Sequence, residues 1–132
     1  MLTNGIVSLL SANGNITSIC SNRIQPIPAP DDYSQYPCVT YQVASDVSGY
    51  NLSSADGCTQ SRIIFNCISP RYLDARQLAL AVKSVLTSYT GTLPDGTQVF
   101  ETEIVNMQDG FDDGSRMSTV QVHSIFTYSD NA

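Results

Sequence analysis

The sequence lacks any apolar run close to the roughly 20 residues that a membrane-spanning helix needs. It is also poor in positive charge, since six Lys and Arg residues stand against twelve Asp and Glu residues, for a formal net charge of −6. An acidic chain repels nucleic-acid phosphates, so the composition argues against a protein that grips DNA or RNA. The same negative charge is compatible with an acidic protein surface that DNA slides past without binding. We therefore expect a soluble protein with no membrane partner.

Metal-binding and phosphate-binding patterns are missing as well. Successive cysteines lie 18, 20 and 9 positions apart, whereas zinc sites usually contain short paired spacings. The segment Asp109–Gly114 superficially resembles a calcium-binding loop, but the twelve-residue ligand spacing and the closing glutamate are absent. No glycine-rich phosphate-binding motif occurs either. The sequence thus predicts neither a metal ion nor a cofactor.

Two pairs of residues are candidates for catalysis. Cys67 and the single histidine, His123, form one candidate pair, but Cys67 lies in an apolar run without a basic neighbour to lower its pKa. Glu101 and Glu103 are two positions apart on a predicted strand, where they would share one face with Val99 and Val105. Paired carboxylates on an exposed strand are typically solvated or face a partner, so we predict no enzymatic activity.

The cysteines also bear on the cellular compartment. Four cysteines and two glycosylation sequons, Asn15-Ile16-Thr17 and Asn51-Leu52-Ser53, would suit a secreted disulfide module. Residues Met1–Ala12, however, lack the basic start and the long apolar segment of a signal peptide. We therefore expect reduced, structural thiols at four positions: Cys20, Cys38, Cys58 and Cys67.

The clearest secondary-structure signal is a helix predicted over Arg71–Tyr89. Its apolar residues recur at helical spacing from Ala75 onward, with Ser69 and Pro70 as the expected start and Gly91 as the expected stop. A second, short helix is predicted over residues 3–12, ended by Asn13 and Gly14.

Period-two alternation and apolar runs predict four strands. They are Cys38–Ala44, Arg62–Ile68, Gln98–Met107 and Met117–Tyr128. Between them, Asp46–Gln60 is predicted to be a long loop, and the proline-rich segment 25–32 an extended traverse or sheet edge. The order αββαββ predicts one α+β domain over residues 1–132, with an antiparallel or mixed sheet of about four strands and two helices on one face.

The strand Met117–Tyr128 is expected to have one apolar and one polar face. Val120, Val122, Phe126 and Tyr128 share the first face. Gln121 and His123 lie on the other face, which is therefore expected to be wet or in contact with a partner.

In the order of its short motifs, the chain resembles the tail completion, or tail terminator, family of long-tailed bacteriophages. The motifs that carry the resemblance are Arg23-Ile24, Pro28-Ala29-Pro30, Tyr36-Pro37-Cys38-Val39-Thr40-Tyr41-Gln42, Arg62-Ile63-Ile64-Phe65-Asn66-Cys67 and Tyr72–Val82. The resemblance implies a non-catalytic subunit of a homo-hexameric ring that caps the tail tube, ends its growth and joins it to the head-side connector or adaptor protein. It also implies a virion location in the tail or neck, assembly in the bacterial host cytoplasm, and DNA passing the lumen without specific binding.

Three elements are then expected to meet neighbours, the tube or the lumen, with the helices outside: the loop after Asp46, the acidic turn after Asp109 and the polar strand face. The candidate residues are Asp46, Tyr50, Asp56, Glu101, Glu103, Asp109, Asp112, Asp113, Gln121 and His123. Another neck protein, such as a head-closure or adaptor subunit, fits the same features. A small hydrolase or a secreted disulfide module remain the alternatives from other classes.

Overall fold

The computed structural model describes residues 2–21, 23–27, 36–48, 58–87, 89–112 and 116–129. Its helices are α1 (Leu2–Ser11), α2 (Gly14–Cys20) and α3 (Tyr72–Leu86). Its strands are β1 (Ile24–Pro26), β2 (Cys38–Ser48), β3 (Cys58–Ser69), β4 (Gly91–Thr92), β5 (Gln98–Asp112) and β6 (Met117–Ser129).

The strands form one sheet in the order β1-β2-β3-β6-β5-β4. Strand β1 runs parallel to β2, and every other neighbouring pair is antiparallel. The two central strands, β3 and β6, pair without interruption from Cys58 opposite Ser129 to Ser69 opposite Ser118. The mixed sheet and the α+β class are as predicted.

The predicted count of four strands and two helices is wrong, because the described residues contain six strands and three helices. The sequence pattern does not predict helix α2, because Asn13-Gly14 is also typical of a helix stop. Asn13 instead caps α2, its Oδ1 atom accepting hydrogen bonds from the backbone N–H groups of Asn15 (2.9 Å) and Ile16 (3.2 Å). Strand β1 overlaps the first two residues of the segment 25–32, which is predicted to be a traverse or an edge, and it lies at the edge of the sheet.

The helices cover one face of the sheet and enclose a single hydrophobic core. From α3, the core contains the residues spaced for one helical face: Ala75, Leu78, Ala79, Val82 and Leu86. From β6 it contains Val120, Val122, Phe126 and Tyr128, as predicted from their alternation. The helical stripe therefore packs on the central strands β3 and β6.

The ends of α3 differ from the prediction. Arg71 occupies the N-cap position, and Ser69 Oγ accepts a hydrogen bond from the backbone N–H of Arg71 (3.1 Å) outside the helix. The helix ends at Leu86 rather than Tyr89, and Gly91 belongs to β4. Gly91 has a φ of 133°, so its conformational freedom serves the start of this short strand.

Strands β2, β3 and β5 are longer than predicted. The loop expected over residues 46–60 is shorter, because β2 continues to Ser48 and β3 begins at Cys58; residues 49–57 lie outside the described residues. The turn expected from Asp109 is wrong as well, because β5 continues to Asp112. Strand β5 thus spans fifteen residues and forms a long hairpin with β6.

Candidate interaction surfaces

The face of the sheet opposite the helices is polar and hydrogen-bonded. Across β2, β3 and β6, Asn66 Nδ2 donates to Thr40 Oγ1 (3.3 Å), and Gln121 Nε2 donates to Asn66 Oδ1 (3.0 Å). His123 Nε2 lies 3.2 Å from Gln121 Oε1, which accepts from the imidazole N–H. We call these four residues the polar ladder. It places both Gln121 and His123 on the helix-free face, as their alternation predicted.

His123 is partly buried within this face. Burial lowers the pKa of its imidazole below the ordinary 6.5, and the positive charge of Arg62 lowers it further. The neutral imidazole is therefore the favoured form in the folded protein at pH 7.

This shift makes folding stability depend on pH. The unfolded state binds the proton more readily, so the contribution of neutral His123 is present above pH 6.5 and is lost as the pH falls below it. Between about pH 8 and about pH 5, His123→Gln should therefore lose less stability than the unmodified protein. Denaturant unfolding at both pH values measures the difference, and equal losses for the two proteins would contradict it.

Glu101 and Glu103 are both exposed near the outer end of the sheet. The predicted common face with Val99 is wrong, because register shifts at Val99/Glu101 and at Ile104/Asn106 break the alternation of β5. Val99 is buried on the helix-bearing face, whereas the two glutamates pair with Thr127 and Ile125 of β6. The second bulge leaves Val105 exposed.

An open groove of about 610 Å³ runs between α3 and β5. Arg76, Lys83 and Thr87 line it from the helix, and residues 101–107 line it from the strand. The sequence does not predict this groove. Arg76 and Lys83 flank the buried stripe of α3 on the side that faces β5.

Asp109 is held by α3 rather than free in a solvated turn. Its Oδ2 accepts a hydrogen bond from Tyr72 Oη (2.8 Å), and its Oδ1 pairs with Arg76 Nη1 at 3.3 Å. The hydrogen bond to Asp109 raises the pKa of the Tyr72 hydroxyl. These contacts fasten the far part of β5 to the start of the helix, so Asp109 has an intramolecular role that the sequence did not predict.

The remaining candidate residues fall at the margins of the described chain. Asp46 lies in β2, opposite Ser61 of β3, and Asp112 closes β5 opposite Met117. Tyr50, Asp56 and Asp113 lie outside the described residues. The expected loop and turn surfaces therefore stay predictions, apart from the strand residues at their borders.

The cysteine-based alternative finds no support in the geometry. Cys67 is buried on the helix-bearing face opposite Val120, whereas His123 lies on the other face opposite Ile64. Burial raises the pKa of Cys67 and raises that of Cys38 to about 11, so both thiols are protonated at neutral pH. Cys20, Cys38 and Cys67 are free and buried.

Three further observations concern the described residues only. None of their helices is both long and apolar enough to cross a membrane. They contain no cluster of three or more His, Cys, Asp or Glu side chains arranged to hold a metal ion. Every buried side-chain nitrogen or oxygen atom among them has a hydrogen-bond partner.

Comparison with known proteins adds one finding at the level of the fold. No protein-family model matches this chain, and no curated protein matches it. Among solved structures, a chain from a structure described as the virion of a native gene transfer agent particle is similar, with a TM-score of 0.75 and 14% sequence identity. The match covers 96% of this chain and 93% of that chain. The two chains therefore share a fold over nearly their whole length.

Proposed function

We propose that this protein is a structural component of a phage-like virion and acts as the tail terminator. In this role, copies of the chain form a ring, expected to be hexameric, that caps the tail tube, stops its polymerisation and joins it to the head-side connector. The proposal includes no catalytic activity and no cofactor. It locates the protein in the tail or neck of the particle, after assembly in the bacterial host cytoplasm.

The observation that carries the proposal is the shared fold with a virion chain. The match covers 96% of the chain with a TM-score of 0.75, so it supports a common fold rather than a shared local motif. Fold alone does not determine function, and the finer role rests on the motifs from Arg23 to Val82 that resemble the tail terminator family. Both lines of argument favour a particle protein.

The arrangement of the two sheet faces is compatible with a ring subunit. The helices cover one face, and the polar ladder with Glu101 and Glu103 occupies the other. If the helices face outward, the polar face lines the lumen. A net charge of −6 then disfavours adhesion of DNA phosphates during passage.

Assembly on tail tubes tests this proposal directly. Purified protein mixed with tail tubes that lack a terminator should bind the tube ends and stop further addition of tube subunits. Light scattering and native mass spectrometry should detect a ring with six times the 14.3-kDa mass of the chain, alone or on the tube. Electron microscopy of capped tubes measures the length distribution, which should become fixed after the protein is added.

The alternative neck positions give a different result in the same experiment. A head-closure or adaptor subunit would bind the connector and leave tube growth unchanged. A protein that stays monomeric under all conditions and binds neither tube nor connector would contradict the virion role itself.

A further inference from the structure

Among the described residues, the sheet has a partly unpaired edge at each of its two ends. At one end, β4 covers β5 only at Gln98 and Val99, and no described residue pairs with the outer side of β5 from residue 100 to residue 112. At the other end, β1 covers β2 only at residues 39–41, and no described strand pairs with the outer side of residues 42–48. Within the described part of the chain, both stretches therefore have backbone donors and acceptors on their outer side without a strand partner.

The β5 edge contains two bulges and the charged residues Glu101 and Glu103, which oppose pairing, but it is long and partly apolar. Its open stretch contains neither proline nor lysine, and it exposes three large apolar side chains: Phe100, Val105 and Phe111. Natural proteins usually shorten, charge or cover such edges, because an open edge is a template for another strand. An edge of this length indicates a partner strand.

From these edges we propose the contact that closes the ring: the β2 edge of one copy (residues 42–48) adds to the β5 edge of the next copy (residues 100–106). This inference rests on the proposed function, because it names the subunit contact of that ring. The contact is heterologous, since two different patches meet, and heterologous contacts are the kind that generate cyclic rings.

The strand directions agree with this pairing. Strand β2 is antiparallel to β3, β3 to β6, and β6 to β5, so β5 runs opposite to β2. When all copies in a ring point the same way, the β2 edge of one copy meets the β5 edge of the next as an antiparallel pair. The helices of all copies then stay on the same side of a continuous sheet.

The free stretches also lie at the same level of the sheet. Within one copy, Ser45 of β2 pairs with Arg62 of β3, which pairs with Ile125 of β6, which pairs in turn with Glu103 of β5. In the same way, Val43 leads through Ile63 and Ser124 to Ile104. Residues 43–47 of β2 are thus level with residues 101–104 of β5, beyond the part of that strand that β4 covers.

The side chains at this level are complementary. Val43, which is 41% exposed, and Ile104 share the helix-bearing face by register, so an apolar contact forms at the floor of the groove. On the neighbouring copy, Lys83 and Thr87 of α3 line the groove above this face.

Cross-linking with two new cysteines tests the contact. Ser45 and Glu103 are exposed and level, so the double variant Ser45→Cys with Glu103→Cys should form a covalent ladder of multimers when treated with a short bis-maleimide. All these variants carry Cys58→Ser, so that Cys20, Cys38 and Cys67, which are buried, are the only native cysteines left. Each single variant and the Cys58→Ser parent should give no ladder under the same conditions.

A charge placed in the apolar contact supplies an independent test. Val43→Asp should weaken ring formation about tenfold or more, because it buries a carboxylate against Ile104 of the next copy, and the concentration dependence of light scattering measures the loss. Leu80→Asp places the same charge at an exposed site of α3 outside the groove and is the matched control.

The outcomes separate this contact from the ring itself. Rings that form without a cross-linked ladder would overturn the contact and leave the proposed function standing. A ladder from the single variant Glu103→Cys would do the same, because it would mean that two β5 edges pair with each other. Capped tubes whose rings are unaffected by Val43→Asp would also overturn it. Failure of every variant and of the unmodified protein to assemble with or without tubes would overturn both proposals.

Discussion

Replacing Leu78 by alanine is expected to lower the free energy of unfolding by about 2 to 5 kcal/mol. Leu78 is fully buried in the face of α3 that packs on the central strands. The substitution removes apolar contacts and leaves a cavity that the surrounding core fills only in part. Denaturant unfolding followed by far-UV circular dichroism measures the change.

Leu80 provides the matched control on the same helix. Its side chain is 47% exposed, so Leu80→Ala makes the same chemical change without opening a cavity, and its effect should stay within about 0.5 kcal/mol. Similar losses for the two variants would contradict the assigned buried face of α3.

The buried faces of α3 and β6 could be predicted because each has a long, uninterrupted period. Along α3, Leu78, Val82 and Leu86 repeat at intervals that place them on one side of a helix, and all three are buried. Along β6, strict alternation separates core residues from the partly buried polar face. In both elements one face contains the core residues and the other is more accessible, so the residue types on the two faces differ clearly.

The secondary-structure predictions fail where the same residues suit two different local structures. Asn13 is a good residue both after a helix and before one, and only the apolar spacing of Ile16, Ile19 and Cys20 indicates that a second helix begins there. In β5, the bulges shift the alternation twice, so a period-two reading assigns Val99 and Glu101 to the same face when they lie on opposite faces.

The candidate site was the least predictable part, because it depends on contacts between distant segments. Asp109 contacts Tyr72 and Arg76, more than 30 positions away in the sequence. The groove beside β5 and the open sheet edges follow from strand order, which hydrophobic periodicity does not determine. What the sequence did predict is the polar character of the sheet face that contains Gln121 and His123.

Substituting Gly5 by alanine is expected to destabilise the protein by about 1 to 3 kcal/mol, even though alanine is the better helix former. Gly5 is buried in α1 where the helix meets the turn before β5, and a Cβ atom there would lie 2.8 Å from Leu93 Cβ and would also collide with the Asp95 carboxylate. The Asp95 side chain itself accepts a hydrogen bond from the Thr97 backbone N–H (3.1 Å), and Leu93 is buried, so neither neighbour moves without loss.

Gly14 is the control for this close approach. It lies in the first turn of α2, and a Cβ atom built there has no neighbour within 4 Å, so Gly14→Ala should be neutral or slightly stabilising. The ordering of the two variants in thermal and denaturant unfolding is the decisive measurement. Equal stability of Gly5→Ala and Gly14→Ala would contradict the close packing of α1 against the Leu93–Asp95 turn. A selective loss at Gly5 would show instead that α1 is fixed to the turn leading into β5.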